Sequence, residues 1–205
     1  MKIGDRTLLD MNIEVMSKFC DDLYVVVSIQ NQIKFFNYKR IAIRSGYGCG
    51  DAVYKAINNI PYHVGDKVYV AWGDAYNTEL VYKSIPKDSK CAIPCVVEDF
   101  PYVQLTDDNR VLFSKYGEIV SRGYHDLSLF YFDIQYMNDY LVEFKKKIWY
   151  NNKYNHKHGN EMQFLDVFNE TAAKFDIINI KNYRAHCFNT YEEFNKMKDS
   201  ITNED

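Results

Sequence analysis

The chain has 205 residues, 47% of them hydrophobic and 16% aromatic, and a formal net charge of −3. That is enough apolar material for one sizeable core in one domain over 1–205, and the lack of a clustered Lys/Arg face excludes a dedicated nucleic-acid binder. Five cysteines without CxxC spacing, and no apolar run of about 18 residues, exclude a disulfide scaffold and a membrane-spanning helix, and predict a reduced, soluble, cytoplasmic protein.

In chain order, Leu8, Leu9, Ile13, Met16 and Phe19 fall on one helical face and predict an amphipathic helix over 7–20. Residues 22–29 (DLYVVVSI) are apolar on both faces and read as a central strand, with a second short strand at 41–44. Gly46, Gly48 and Gly50 then lead into a helix over 51–60 whose first turn carries Asp51. Glycines allow close backbone approach, and the free N–H groups of a helix start suit an anion. The spacing is neither a Walker loop nor a dinucleotide fingerprint, and a tight turn needing positive φ accounts for it as well.

The stretch 66–74, DKVYVAWGD, is the centre of the reading. Val68 to Trp72 predict a strand buried on both faces of a mostly parallel sheet. It ends at Gly73-Asp74, where a carboxylate is placed to hold a hard divalent cation beside a phosphate. A turn start is the plainer reading of Asp74. A loop and short helix follow, then strands at 91–98, 102–107, 110–116 and 127–133, with a hairpin signal in TDDNR, so part of the sheet is expected to be antiparallel.

A helix over 134–150 places Met137, Leu141, Phe144 and Ile148 inward, and its lysines Lys145 to Lys147 suit the C-terminal dipole. Residues 151–160 read as a polar loop, 161–175 as a helix that opens on Glu161, INI and YRAHCF as strands, and TYEEFNKMKDSI as the last helix. Asn189 and Thr190 stand where that helix would be N-capped. Cys91 and Cys95, with His156 and His158, fit no zinc-finger spacing, and no zinc is expected on that set.

Four stretches in this order, GYGCGDAVYKA, VYVAWGDA, GNEMQFLDVF and FNTYEEF, resemble the sugar-phosphate and phosphocholine nucleotidyltransferases of the GT-A type fold. The resemblance spans nearly the whole chain. It implies a three-layer Rossmann-like mixed, mostly parallel sheet, and an enzyme that transfers a nucleoside monophosphate from a nucleoside triphosphate to a phosphomonoester in surface-polysaccharide or related biosynthesis. It further implies Mg²⁺ on Asp74 and Asn189, and a nucleotide lying along Gly48, Cys49, Gly50 and Asp51 with Gly73. Glu161 and Asp126 would face the acceptor, and Lys115 would neutralise the acceptor phosphate.

Two departures qualify the resemblance. The family opens with a strand and a LAAGxGxRM loop that grips the triphosphate, whereas this sequence starts at the IGDRTLLD that normally follows. An absent N-terminal strand, a lost triphosphate grip with little or no transferase activity in the chain as written, and possible self-association are therefore expected. Asp126 and Ser128 also stand where sugar-using members carry Asn-Thr-Gly, so a phosphocholine-like acceptor suits the chain at least as well as a hexose 1-phosphate, because aromatic faces bind quaternary ammonium groups. A GT-A glycosyltransferase, which would normally show Asp-x-Asp, and a nucleotide- or partner-binding relative without turnover are the alternatives.

Overall fold

In a computed structural model of the protein, the residues described are 2–3, 5–30, 39–43, 47–119, 121–184, 186–187, 192, 194–195 and 198. The first half runs β1 (Lys2–Ile3), β2 (Arg6–Thr7), α1 (Leu8–Met16), β3 (Val25–Ser28), β4 (Arg40–Ile43), α2 (Cys49–Ile57), β5 (Lys67–Ala71), β6 (Ala75–Tyr76) and α3 (Glu79–Ser84). The second runs β7 (Cys91–Glu98), β8 (Val103–Leu105), β9 (Val111–Phe113), β10 (Gly123–Asp126), β11 (Leu129–Asp133), α4 (Ile134–Ile148), β12 (Trp149–Tyr150), β13 (Lys153–Tyr154), α5 (Asp166–Glu170), β14 (Asp176–Asn179) and β15 (His186–Cys187).

The layers follow from strand periodicity, since alternate side chains point to opposite faces. Phe130 and Phe132 of β11, with Cys91, Ile93 and Cys95 of β7, join the α2, α4 and α5 side, where Val53, Ile57, Met137, Leu141 and Phe168 pack. Leu129 and Tyr131, with Ala92 and Val96, join the other side under Val15 of α1 and Val81 and Tyr82 of α3. Helices therefore cover both faces of one sheet, as the three-layer expectation holds. Met137, Leu141, Phe144 and Ile148 are all buried, as their spacing predicts.

The expectation of a mostly parallel sheet is corrected. In the seven-stranded sheet, β5 pairs with β11, β11 and β10 with β7, and β10 with β8, which pairs with β9, all antiparallel; only β14 on β7 is parallel. β3 and β4 form a separate parallel pair. β5 is accordingly not buried on both faces: only Tyr69 is buried, and Val68, Val70 and Ala71 are half-buried. β3 is likewise not central, for Val26 is 41% and Ile29 50% exposed. Bonds from Trp72 N–H to Ser128 O (3.0 Å) and from Ile134 N–H to Asp66 O (3.0 Å) fix the phase of the β5–β11 ladder. The backbone groups of Lys67, Tyr69 and Ala71 consequently face away from β11, and among the described residues no strand pairs with that edge.

Local chemistry displaces three further expectations. The buried stripe of α1 is Leu8, Met11, Asn12 and Val15 rather than one through Leu9, Ile13 and Met16, because Asn12 is drawn inward to donate its Nδ2–H to Ala75 O at 2.8 Å. The helix expected over 161–175 shrinks to α5, since Met162 exchanges backbone bonds with Tyr47 and Gly50 (3.0 and 2.8 Å) instead of forming a helical turn. The helix expected over 134–150 stops at Ile148, and its last two residues pair as β12 with β13 of the polar loop in a hairpin whose Asn151 and Asn152 take φ of 49° and 61°, the conformation a two-residue hairpin turn needs.

Candidate active site

The site is built where β5 ends. Trp72 is tied to the neighbouring strand through Ser128 O, and the chain turns through Gly73 and Asp74 into β6, where Asn12 holds Ala75 O. Asp74 is exposed, yet the surrounding protein displaces enough water to raise its carboxyl above the usual carboxylate range. Nothing lies within 4 Å of where a Cβ on Gly73 would stand. The fold makes no packing demand for glycine there, and the space beside Asp74 is open.

Opposite stands Asp126, 4% exposed, at the end of β10. Between Asp126 and Tyr131 the chain advances five residues while its partners Cys95 and Ala92 on β7 are three apart, so two extra residues form a bulge. Pro94, which has no N–H to give, accepts from Leu127 N–H there (2.9 Å), and buried Asn77 donates to Leu127 O (2.9 Å). Ser128 takes φ of 56°, an uncommon backbone state for a residue with a side chain, and such states collect at functional sites. Its N–H donates to Asp126 Oδ1 at 2.9 Å. Burial pushes the Asp126 carboxyl up; His125 and backbone donors oppose that, and the charge of Asp74 adds to it.

The second wall joins the glycine turn to the loop before α5. Gly48 has φ of +88°, and a Cβ on it would stand 2.5 Å from Met162 O and 3.0 Å from Glu161 Cβ; on Gly50 it would stand 2.8 Å from the same carbonyl. Glycine is required at both positions, but by the approach of the protein's own backbone, and the Gly50 N–H is taken by Met162 O. Cys49 Sγ accepts from Phe164 N–H at 3.3 Å and lies 3.4 Å from Gln163 Oε1; burial raises its thiol. Asp51 is 2% exposed and turned inward, hydrogen-bonded by Tyr154 and ion-paired with Lys55 at 2.6 Å. Gly48 and exposed Glu161 are left at the surface of this wall. Trp72 links the two walls, its ring 5.9 Å from that of Phe164.

Lys115 lies apart from these contacts. The strand expected over 110–116 stops at Phe113, and Lys115 sits on a 3-10 turn with its ammonium 4.7 Å from the Tyr116 ring. Its hydrogen bond to Tyr116 raises its pKa. Gly46, Asn189 and Thr190 lie outside the described residues. The strand that leads toward Asn189 does come to the site: in β15 and β6, Cys187 is the register partner of Ala75, next to Asp74. Sequence reasoning missed Asn12, Asn77 and the bulge; the only available signal was an asparagine within an otherwise apolar helix stripe. Two hollows also indent the described surface, one of about 230 Å³ lined by Asp51 and Lys145 and one of about 440 Å³ lined by Met11 and Tyr76.

No family profile matches the chain, and no curated protein matches it in sequence. Solved structures do. HddC from Yersinia pseudotuberculosis is similar at 17% identity and a TM-score of 0.62, over 98% of this chain and 88% of that one. The 4-diphosphocytidyl-2C-methyl-D-erythritol synthase of Anaerococcus prevotii is similar at 13% identity and a TM-score of 0.67, over 98% and 92%. The inositol-1-phosphate CTP transferase of T. maritima gives 12% identity and a TM-score of 0.65, over 98% and 87%. The chain shares the Rossmann-like fold of these structures over nearly its whole length.

Proposed function

We propose that the chain is a nucleotidyltransferase that moves a nucleoside monophosphate from a nucleoside triphosphate to a phosphomonoester and releases pyrophosphate. The observation that carries this reading is the Asp74 carboxylate after the end of β5, beside the open space over Gly73, close enough to buried Asp126 after the β10–β11 bulge for its charge to be felt there. The names of the similar structures, which include a CTP transferase for inositol 1-phosphate, agree with it. An all-oxygen donor set suits Mg²⁺. Asp74 would hold it, with Asn189 as the second ligand, and the register of β15 beside β6 supports that pairing. When bound, the ion neutralises phosphate charge.

The chemistry assigned to the residues is positional. An acceptor phosphate is already anionic, so it attacks the α-phosphorus in line without a general base, and the barrier is set by bringing two anions together. Glu161 and Asp126 orient the acceptor and Gly73 leaves room for the phosphates, while Lys115, which lies apart from these residues on the turn before Tyr116, would reach the acceptor phosphate only through its long side chain. A hexose 1-phosphate and phosphocholine are the two acceptor classes, and surface-polysaccharide or related biosynthesis is the setting.

A second reading, a nucleotide- or partner-binding relative without turnover, is favoured by the Gly50 amide being committed to Met162 O. One assay separates the readings. Pyrophosphate released from a nucleoside triphosphate only when a phosphomonoester is present supports transfer. Binding without release supports the second reading, and nucleoside diphosphate released from a nucleotide sugar supports a glycosyltransferase.

A further inference from the structure

The β12–β13 hairpin and α5 enclose a second cluster of ionisable groups. The side chains of His156 and His158 are 5% and 4% exposed and that of Asp166 is 0% exposed. His158 Nδ1 lies 2.8 and 3.0 Å from the two Asp166 oxygens, and His156 Nδ1 lies 3.3 Å from Oδ2. The opposite nitrogens face other acids: His156 Nε2 is 3.2 Å from Glu170 Oε1, and His158 Nε2 is 3.5 Å from Glu118 Oε1. Tyr116 stacks flat on His158 at 4.1 Å, and Phe144 meets His156 edge-on at 5.5 Å. Both imidazoles are thus held in fixed orientations.

An imidazole that donates Nε2–H to a glutamate presents Nδ1 as a lone pair. Here both Nδ1 atoms converge on one buried carboxylate: in one tautomer His158 Nδ1–H donates to Asp166, and in the other the two Nδ1 lone pairs and the carboxylate form a ready set of cation ligands. We propose that His156, His158 and Asp166 bind a divalent transition metal, with zinc the best match. One ligand atom from each residue lies within 4.8 Å of the others, a spread that small side-chain shifts close to tetrahedral zinc with bonds of about 2.0–2.1 Å. Two imidazoles with a carboxylate select zinc and its neighbours over Mg²⁺. Glu170 and Glu118 supply the carboxylate–histidine–metal arrangement that orients such ligands. The His158 backbone N–H donates to His156 Nδ1 at 3.3 Å, a long hydrogen bond that shows this nitrogen as an acceptor and that the metal displaces.

The two histidines expected to bind no zinc with Cys91 and Cys95 are thus brought together with an acid instead, while both cysteines remain in the sheet core. The metal ties His156 and His158 to Asp166 across the loop that carries Glu161 and Met162. Its role is to brace that loop against the glycine turn. The site goes beyond nucleotidyl transfer and does not depend on it.

The test uses the full chain, stripped with chelator and dialysed against zinc. Elemental analysis is expected to find one zinc per chain. X-ray absorption at the zinc edge is expected to show imidazole scattering with nitrogen and oxygen at about 2.0–2.1 Å. Glu170→Gln should weaken zinc binding by roughly 10–100-fold, His158→Gln and Asp166→Asn by more, and His63→Gln, at an exposed position, not at all. No retained zinc, or an edge spectrum without imidazole scattering, overturns the proposal and leaves a buried histidine–aspartate hydrogen-bond network in its place. Equal zinc affinity in folded His158→Gln protein overturns it too. The first two readings come from the parent chain, so they stand even where a variant fails to fold.

Discussion

The Gly50 amide donates to Met162 O at 2.8 Å, so the glycine turn before α2 grips the loop that carries Glu161. A methyl group at Gly48 or Gly50 would collide with that carbonyl. Gly48→Ala and Gly50→Ala should each lose about 1–3 kcal/mol of stability by overpacking, more at Gly48 because its φ is positive. Gly73→Ala should leave stability unchanged and lower transfer. Thermal denaturation of the three variants beside a turnover assay checks the contrast.

Asp126→Asn should raise the melting temperature at neutral pH while lowering activity. The folded-state pKa of Asp126 is raised, chiefly by burial, so the folded protein binds that proton more tightly than the unfolded chain. Stability from this group is therefore lost as pH rises through the window between its unfolded and folded pKa values. Asparagine carries no such charge and can still accept from Ser128 N–H. The gain should shrink as pH falls through that window, which melting curves over a pH series would show. A gain that persists at low pH would contradict it.

Asn12→Ala should cost about 1–3 kcal/mol, because Ala75 O loses its buried donor. The strand after Asp74 loses its anchor with it. Denaturant unfolding measures the first effect, and reduced turnover in protein that remains folded measures the second.

The edge of β5 makes its own prediction. Amides of Val68 and Val70 point to β11 and should exchange slowly with solvent, whereas those of Tyr69 and Ala71 should exchange quickly in dilute protein. Protection at Tyr69 and Ala71 that grows with concentration would report pairing between chains through this edge. Equal protection of all four in dilute monomer would contradict an open edge.

What the sequence made legible was local. β7, the β8–β9 hairpin and α4 follow from continuous apolar runs, a turn signal and a strict helical stripe. Strand direction did not follow, because an apolar run reads alike in parallel and antiparallel partners, and β5 was misjudged for that reason. The Asp74 turn was read from Gly73-Asp74 itself. Its supports were not, since Asn12 and Asn77 act across 63 and 50 residues, and the bulge that aims Asp126 is visible only once β7 is beside it. The loop around Met162 looked helical because its backbone commitment to Gly50 is likewise non-local.

The central claim rests on Asp74. Pyrophosphate release from a nucleoside triphosphate and a phosphomonoester, measured with Mg²⁺ for the parent chain and Asp74→Asn, tests it most directly. Loss of the carboxylate should slow turnover on the order of 10³-fold, with the melting temperature no lower, because Asp74 is exposed and its carboxyl pKa is raised, so removing the charge costs no stability at neutral pH. A folded Asp74→Asn protein that turns over as fast as the parent would contradict the account.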